Sequence, residues 1–209
     1  MLNLFLENKM IARDAENPPY YSHQFLLICS PLPMLKEEFQ IKMYGAYRKK
    51  WAIRHRDPNH ERLHTIFVSG NEGINDPKFA CLQLADEHSR ITIIGHYEIN
   101  EDYFSADEAG FHKVHYTHFI EIIRHNVQAE TVLLKSIAEV LTHPRALRLT
   151  FLACNVGASE NKPSMAERMF LSLCQHAEKP LRIEMTAPLF FCGPFLGEKN
   201  KNYFSFNYY

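Results

Sequence analysis

The sequence predicts an α/β fold: one domain built on a mainly parallel sheet with helices on both faces. Three observations lead there. Short apolar runs, HQFLLICS from His23, TIFV from Thr65, ITII from Ile91 and LRLTFLA from Leu147, have strand length and fall short of core helices. Segments with helix formers and helical spacing alternate with them, the order of βαβ units. The runs are continuous rather than alternating, as expected of strands covered on both faces.

Taken in order, residues 1–19 read as a weakly ordered lead-in ending at Pro18-Pro19, and residues 20–209 as the domain. Pro18-Pro19-Tyr20-Tyr21 fits the PPxY pattern of WW-domain ligands, but a turn into the first strand is the preferred reading. The first strand spans His23 to Ser30, and Pro31 and Pro33 end it. Leu35, Phe39, Met43, Tyr47 and Trp51 recur in steps of four, one stripe of a helix reaching about Arg56. Thr65 to Val68 is a strand, followed by the turn-rich SGNEGINDP. Phe79 to His88 reads as a short helix, and Ile91 to Ile94 as a strand stopping at Gly95-His96. A polar stretch, YEINEDYFSADEAG, then leads to a helical region from about His112 to Leu141 with a break near Asn126–Ala129. Leu147 to Ala153 is the clearest strand, and Cys154 comes directly after it. Ser164, with Glu167 three residues on, forms a capping box for a helix to about Ala177. Leu181 to Thr186 alternates as a strand, and the aromatic tail ends in a short hairpin or last strand.

Composition narrows the function classes. With 209 residues, 46% hydrophobic and 22% charged, the chain is long and apolar enough to bury a core. A net charge of −1 sets up no global field for nucleic acid. No run approaches the roughly 20 apolar residues that span a bilayer, and the opening LNLFL lacks the basic segment of a cleavable signal. Five scattered cysteines without a CxxC pair suit a reducing, cytoplasmic setting. The loop Asn71-Glu72-Gly73 carries no phosphate-binding glycine motif. His112, His115 and His118, with Glu121, would drift around a helix rather than converge, so a polar helix face is expected there and no metal site.

Chemistry in an open parallel sheet gathers beyond the carboxyl ends of the strands. Two residues stand at such ends: His96 after ITIIG and Cys154 after LRLTFLA. If their strands are neighbours, a thiol and an imidazole share one edge. A free thiol titrates near ~8.5 and is mostly protonated at neutral pH, while the thiolate is the nucleophile. An adjacent imidazole stabilises the thiolate or accepts its proton. The backbone N–H groups of Cys154 and Tyr97 are the candidate donors to an acyl oxyanion. The plain alternative is that each residue merely packs, as strand-end cysteines commonly do.

The segments ITIIGHYEINEDYF and LRLTFLACNVG resemble the two catalytic segments of caspase-like (clan CD) cysteine peptidases. They are most similar to those of the self-processing cysteine protease domains of large bacterial toxins. The resemblance implies a three-layer α/β/α sandwich, Cys154 as nucleophile, His96 as its base or thiolate partner, and a protein or peptide substrate. It also implies delivery into a host cytosol as an alternative to a resident cytoplasmic protein. Gly95 flanks the histidine, Asn155 comes after the nucleophile, and Leu152 with TAPLFFCGPF would line a pocket for an apolar or small side chain.

Two departures stand out. The family carries glycine after the histidine where this chain has Tyr97, and its acid near the end of the first strand has only Glu37 and Glu38 as counterparts here. The toxin domains are activated by inositol hexakisphosphate on a basic patch. Arg48, Lys49, Lys50, Arg54 and Arg56 are the candidate patch, with Arg145, Arg148, Lys199 and Lys201 a sparser one. A charge run on a helix more commonly means a solvated face. The competing functional reading is a catalytically silent α/β effector module that binds a partner protein.

Overall fold

The computed structural model describes residues 21–31, 38–107, 110, 112–127, 147–175, 183–188 and 203–207. Its strands are Gln24–Cys29 (β1), Leu63–Val68 (β2), Arg90–Ile94 (β3), Tyr103–Ser105 (β4), Lys113–His115 (β5), Leu147–Leu152 (β6), Ile183–Pro188 (β7) and Tyr203–Asn207 (β8). Helices Glu38–Arg54 (α1), Tyr116–Asn126 (α2) and Met165–Gln175 (α3), and a 3-10 helix over Pro77–Leu84, lie between them. Six strands form one sheet in the order β2-β1-β3-β6-β7-β8. Every neighbouring pair is parallel except β7 with β8. The mixed α/β class and the mostly parallel sheet therefore agree with the sequence. No helix among the described residues is long and apolar enough to cross a membrane.

Strand β1 shows how the sheet is covered. Phe25, Leu27 and Cys29 join one buried cluster with Phe79 and Leu82 of the 3-10 helix, Phe119 and Ile120 of α2, and Met169 and Phe170 of α3. Leu26 and Ile28 join another, with Trp51 of α1 and with Tyr44 and Tyr47 packed against it. Successive side chains of a strand point to opposite faces, so a continuous apolar run feeds two cores at once. Of the residues in the predicted α1 stripe, Tyr47 and Trp51 are described and do pack on the sheet; Leu35 lies outside the described residues.

A polar ladder crosses the middle of that second face. Gln24 is fully buried. Its Nε2 donates to Thr92 Oγ1 at 3.0 Å, and its Oε1 accepts from the Tyr47 hydroxyl at 2.7 Å and from Arg90 Nε. Thr92 and Thr150 hydroxyls meet at 2.8 Å across β3 and β6. Satisfied buried polar groups of this kind fix which strands are neighbours, because a slipped register would leave them unpaired.

The segment after β3 differs from the sequence expectation. The polar stretch forms an antiparallel hairpin in which Tyr103 pairs with His115 and Ser105 with Lys113. Helix α2 begins only at Tyr116, with His115 as its cap accepting from Thr117 N at 3.3 Å. Each hairpin strand buries one residue, Phe104 or Val114, between more exposed neighbours. Three residues are too few for the alternation to stand out in a sequence. His112, His115 and His118 consequently belong to the hairpin and to α2, not to one helical row. The helix expected over Phe79–His88 is a 3-10 helix begun earlier, by Asp76 accepting from Lys78 N at 3.0 Å and by Pro77 at its first position. The continuation of the helical region towards Leu141 and the lead-in 1–19 lie outside the described residues.

Candidate active site

Strands β3 and β6 pair with Ile94 opposite Leu152, and the ladder runs one step further through Gly95 N donating to Leu152 O at 3.3 Å. Two residues past that last register pair stand His96 on one strand and Cys154 on the other. Neighbouring strands lie about 4.8 Å apart, and the parallel register brings both residues to the same end of the sheet. Both are half-buried, while Tyr97, Ala153 and Val156 around them are buried.

His96 is held on both sides of its backbone. Its N–H donates to Ser105 O at 2.8 Å and its carbonyl accepts from Ser105 N at 2.9 Å, a bridge to the β4 end of the hairpin. Gly95 makes this approach feasible. A Cβ there would sit 3.1 Å from Ser105 O and 3.2 Å from Cys29 Cβ.

Cys154 opens the turn that leaves β6, and its thiol is not in a disulfide. Asn155 is next, with φ of 56°, in the left-handed region that asparagine tolerates better than most residues. Its carbonyl accepts from Ala158 N at 2.9 Å. Ala166 N donates to Val156 O at 3.0 Å, tying the start of α3 to the turn. The chain thus bends sharply just after the thiol, which leaves Cys154 at the sheet edge while Val156 packs into the core.

Tyr97 accounts for the departure from glycine. Among the described residues the non-glycine positions with positive φ are Arg56, His60, Asn100 and Asn155, so the residue after His96 needs no glycine conformation. Its ring is 5% exposed and lies 5.8 Å from Phe104. Burial raises its phenol pKa, and the positive charge of Arg168 works in the opposite direction.

Compared with known proteins, the chain matches no family model and no curated sequence. Its chemistry rests on its own geometry.

The other described thiols differ from Cys154 in setting. Burial pushes the Cys29 thiol up to about 12, the Asp107 and Glu72 charges add to that, and its Sγ donates to Phe104 O at 3.4 Å. Burial also raises Cys81 on the 3-10 helix. Of the acids weighed from sequence, Glu38 opens α1 and Glu37 lies outside the described residues. Glu72 is firmly tied: Ser69 N and Ser69 Oγ donate to it at 2.8 and 2.7 Å, and Lys78 Nζ pairs with it. Burial would raise its carboxyl, but these partners outweigh it and hold the pKa at about 2. His118 Nε2 lies 3.8 Å from the same carboxylate.

The remaining candidates fall in several places. Leu152 is half-buried against the cluster of Leu26, Ile28 and Trp51, and the segment 189–195 lies outside the described residues. Arg48, Lys49, Lys50, Arg54 and Arg56 are exposed on α1 and the turn after it. Arg148 Nη1 donates to the Tyr21 hydroxyl at 2.9 Å, and Arg145, Lys199 and Lys201 are outside the described residues. Tyr21 of the PPxY pattern is 7% exposed and part of the core.

Sequence reading missed the groups that join the two strand-end segments. Asp102 accepts from Lys162 Nζ at 3.1 Å and from Arg168 Nη1, and Asn100 Nδ2 donates to Glu160 Oε2 at 3.1 Å. Nothing in their spacing relates residue 102 to 168; only the fold brings them together.

Proposed function

We propose that this chain is a cysteine endopeptidase of caspase-like, three-layer α/β/α fold, working through a Cys154–His96 dyad. The observation that carries the reading is the β3–β6 register, in which His96 and Cys154 each stand two positions beyond the last paired residue on adjacent parallel strands. Clusters on both faces of β1 support the three-layer arrangement.

In the proposed reaction His96 takes the thiol proton and Cys154 Sγ attacks the peptide carbonyl. The backbone N–H groups of Tyr97 and Cys154 donate to the oxyanion. The C–N bond breaks, the amine leaves with the proton from His96, and a thioester remains. Water, deprotonated by His96, then cleaves the thioester, releasing the acid and restoring the thiol. Gly95, Leu152 and Asn155 border the substrate, and the apolar Leu152 favours an apolar or small residue before the cleaved bond. Inositol hexakisphosphate is the proposed activator, by resemblance alone.

The test is cleavage of a peptide mixture, with and without inositol hexakisphosphate, by the wild type, Cys154→Ala and His96→Ala. The reading expects cleavage lost in both variants while their circular dichroism matches the wild type. Unchanged cleavage by Cys154→Ala would end it. A fold-competent protein that cleaves nothing in either condition, yet retains a binding partner on Cys154→Ala, would favour the silent binding module.

A further inference from the structure

We infer that Arg168 is a positioning residue that clamps the segment after His96 to the segment after Cys154, and so sets the separation of thiol and imidazole. The inference rests on the dyad reading and deepens it.

Arg168 belongs to α3, the helix that follows the Cys154 turn after the loop of residues 158–164. Its backbone N–H donates to Ser164 O at 3.0 Å, and two residues earlier Ala166 N is bonded to Val156 O at 3.0 Å. Its side chain reaches across to the other segment. Nη1 pairs with the Asp102 carboxylate, and Nη2 donates to Glu101 O at 2.8 Å. The guanidinium carbon lies 5.1 Å over the Tyr116 ring. Its positive charge also acts on the phenol of Tyr97, the residue bonded directly to His96, and lowers the pKa that burial raises. One planar cation therefore touches the segment after His96 at 101–102 and at the start of α2. Only arginine has the geometry for several directed donors plus an aromatic stack.

The clamp does not act alone. Lys162 to Asp102 and Glu160 to Asn100 join the same two segments nearer the surface. Arg168 is the inner member, with its side chain 16% exposed against 42% for Asp102. A displacement there passes back along the chain from Glu101 to the histidine. Since a shift of about 1 Å in a catalytic group costs on the order of 10²-fold in rate, a small loosening has a large readout.

The experiment measures Cys154 alkylation by iodoacetamide against pH. It uses full-length wild type, Arg168→Met, Arg168→Lys, Asp102→Asn and His96→Ala, with thermal midpoints recorded for each. Arg168→Met is expected to lose at least tenfold of the His96-dependent rate near neutral pH, and its profile to move towards that of an ordinary thiol. Arg168→Lys, which keeps the charge but not the fork, recovers part of the loss. Asp102→Asn, at the exposed end, shows a smaller loss in the same direction and serves if Arg168→Met does not fold. A His96-dependent rate that is unchanged in both Arg168→Lys and Asp102→Asn overturns the clamp while leaving the dyad intact. A wild type whose Cys154 rate does not depend on His96 overturns the dyad, and the clamp with it.

Discussion

Ile94 and Leu152 are register partners on parallel strands, and the residue two places beyond each is the imidazole of His96 or the thiol of Cys154. Parallel pairing makes this meaningful. The carboxyl ends of both strands point the same way, so the residues just beyond them emerge at one edge.

Gly95→Ala should be costly although it adds one methyl group. The new carbon would meet the Ser105 carbonyl at 3.1 Å and Cys29 Cβ at 3.2 Å, and neither is the free end of a flexible side chain. Overpacking of this kind costs about 1–3 kcal/mol. The hairpin must shift, and His96 is bridged to it. Chemical denaturation is expected to show a lower midpoint, with the His96-dependent reactivity of Cys154 falling further than the stability loss accounts for.

Cys29 should be silent in the native state. It is fully buried, with its pKa pushed up to about 12, so almost no thiolate exists at neutral pH. Mass-spectrometric mapping after brief alkylation is expected to find Cys29 unmodified until denaturant unfolds the chain. Cys29→Ser keeps a donor for Phe104 O but shortens the side chain in a fully packed site, and is expected to destabilise by about 1 kcal/mol.

Acid should act through histidines before carboxylates. Burial holds His55 at about 4, against 6.5 for an ordinary histidine, with nearby arginine charges lowering it further. Burial also lowers His23 and His64, whose ring nitrogens meet at 3.1 Å. A group that is harder to protonate when folded leaves the unfolded chain binding more protons. The stability these histidines contribute is present above pH 6.5 and is lost as pH falls through their folded pKa values. Glu72, at about 2, holds its contribution to far lower pH. Thermal scans between about pH 8 and pH 4 are expected to show a falling midpoint, about 2–4 °C for each kcal/mol lost. His55→Gln should flatten part of that slope.

Asp57 should matter more than its loop position implies. It lies just after α1, is 5% exposed, and accepts from Trp51 Nε1 at 2.8 Å and from Glu61 N and Arg62 N at 3.0 Å each. Burial alone would raise its carboxyl, but those donors win and lower it. Asp57→Ala strands a buried indole N–H and two amides, with an expected loss of about 2–4 kcal/mol at the cost of roughly 1–3 per unsatisfied group, partly recovered by water. Urea denaturation of the variant gives the number directly.

These elements differ in how far the sequence revealed them. LRLTFLA and ITII carry their strand character along their whole length, because both faces of the sheet are covered and nearly every position is apolar or β-branched. The alternation of strand and helix allows their adjacency, and the β3–β6 register establishes it. The hairpin of β4 and β5 was hidden, since its signal is two buried residues, Phe104 and Val114, far apart in the chain among polar ones. The histidines that looked like a helical row were split between hairpin and helix for the same reason. Arg168 and Asp102 were invisible because a tertiary ion pair leaves no local pattern. Tyr97 looked like a defect beside the family's glycine. Its burial against Phe104 gives it a place in the core that only the packing shows.

The most direct test of the central claim is the rate at which limiting iodoacetamide alkylates each thiol of the native chain at neutral pH, in wild type and in His96→Ala. The account predicts that Cys154 reacts at least tenfold faster than Cys81 and far faster than Cys29, and that His96→Ala abolishes the advantage with the fold intact. A Cys154 that reacts no faster than Cys81, or whose rate is the same without His96, would contradict it.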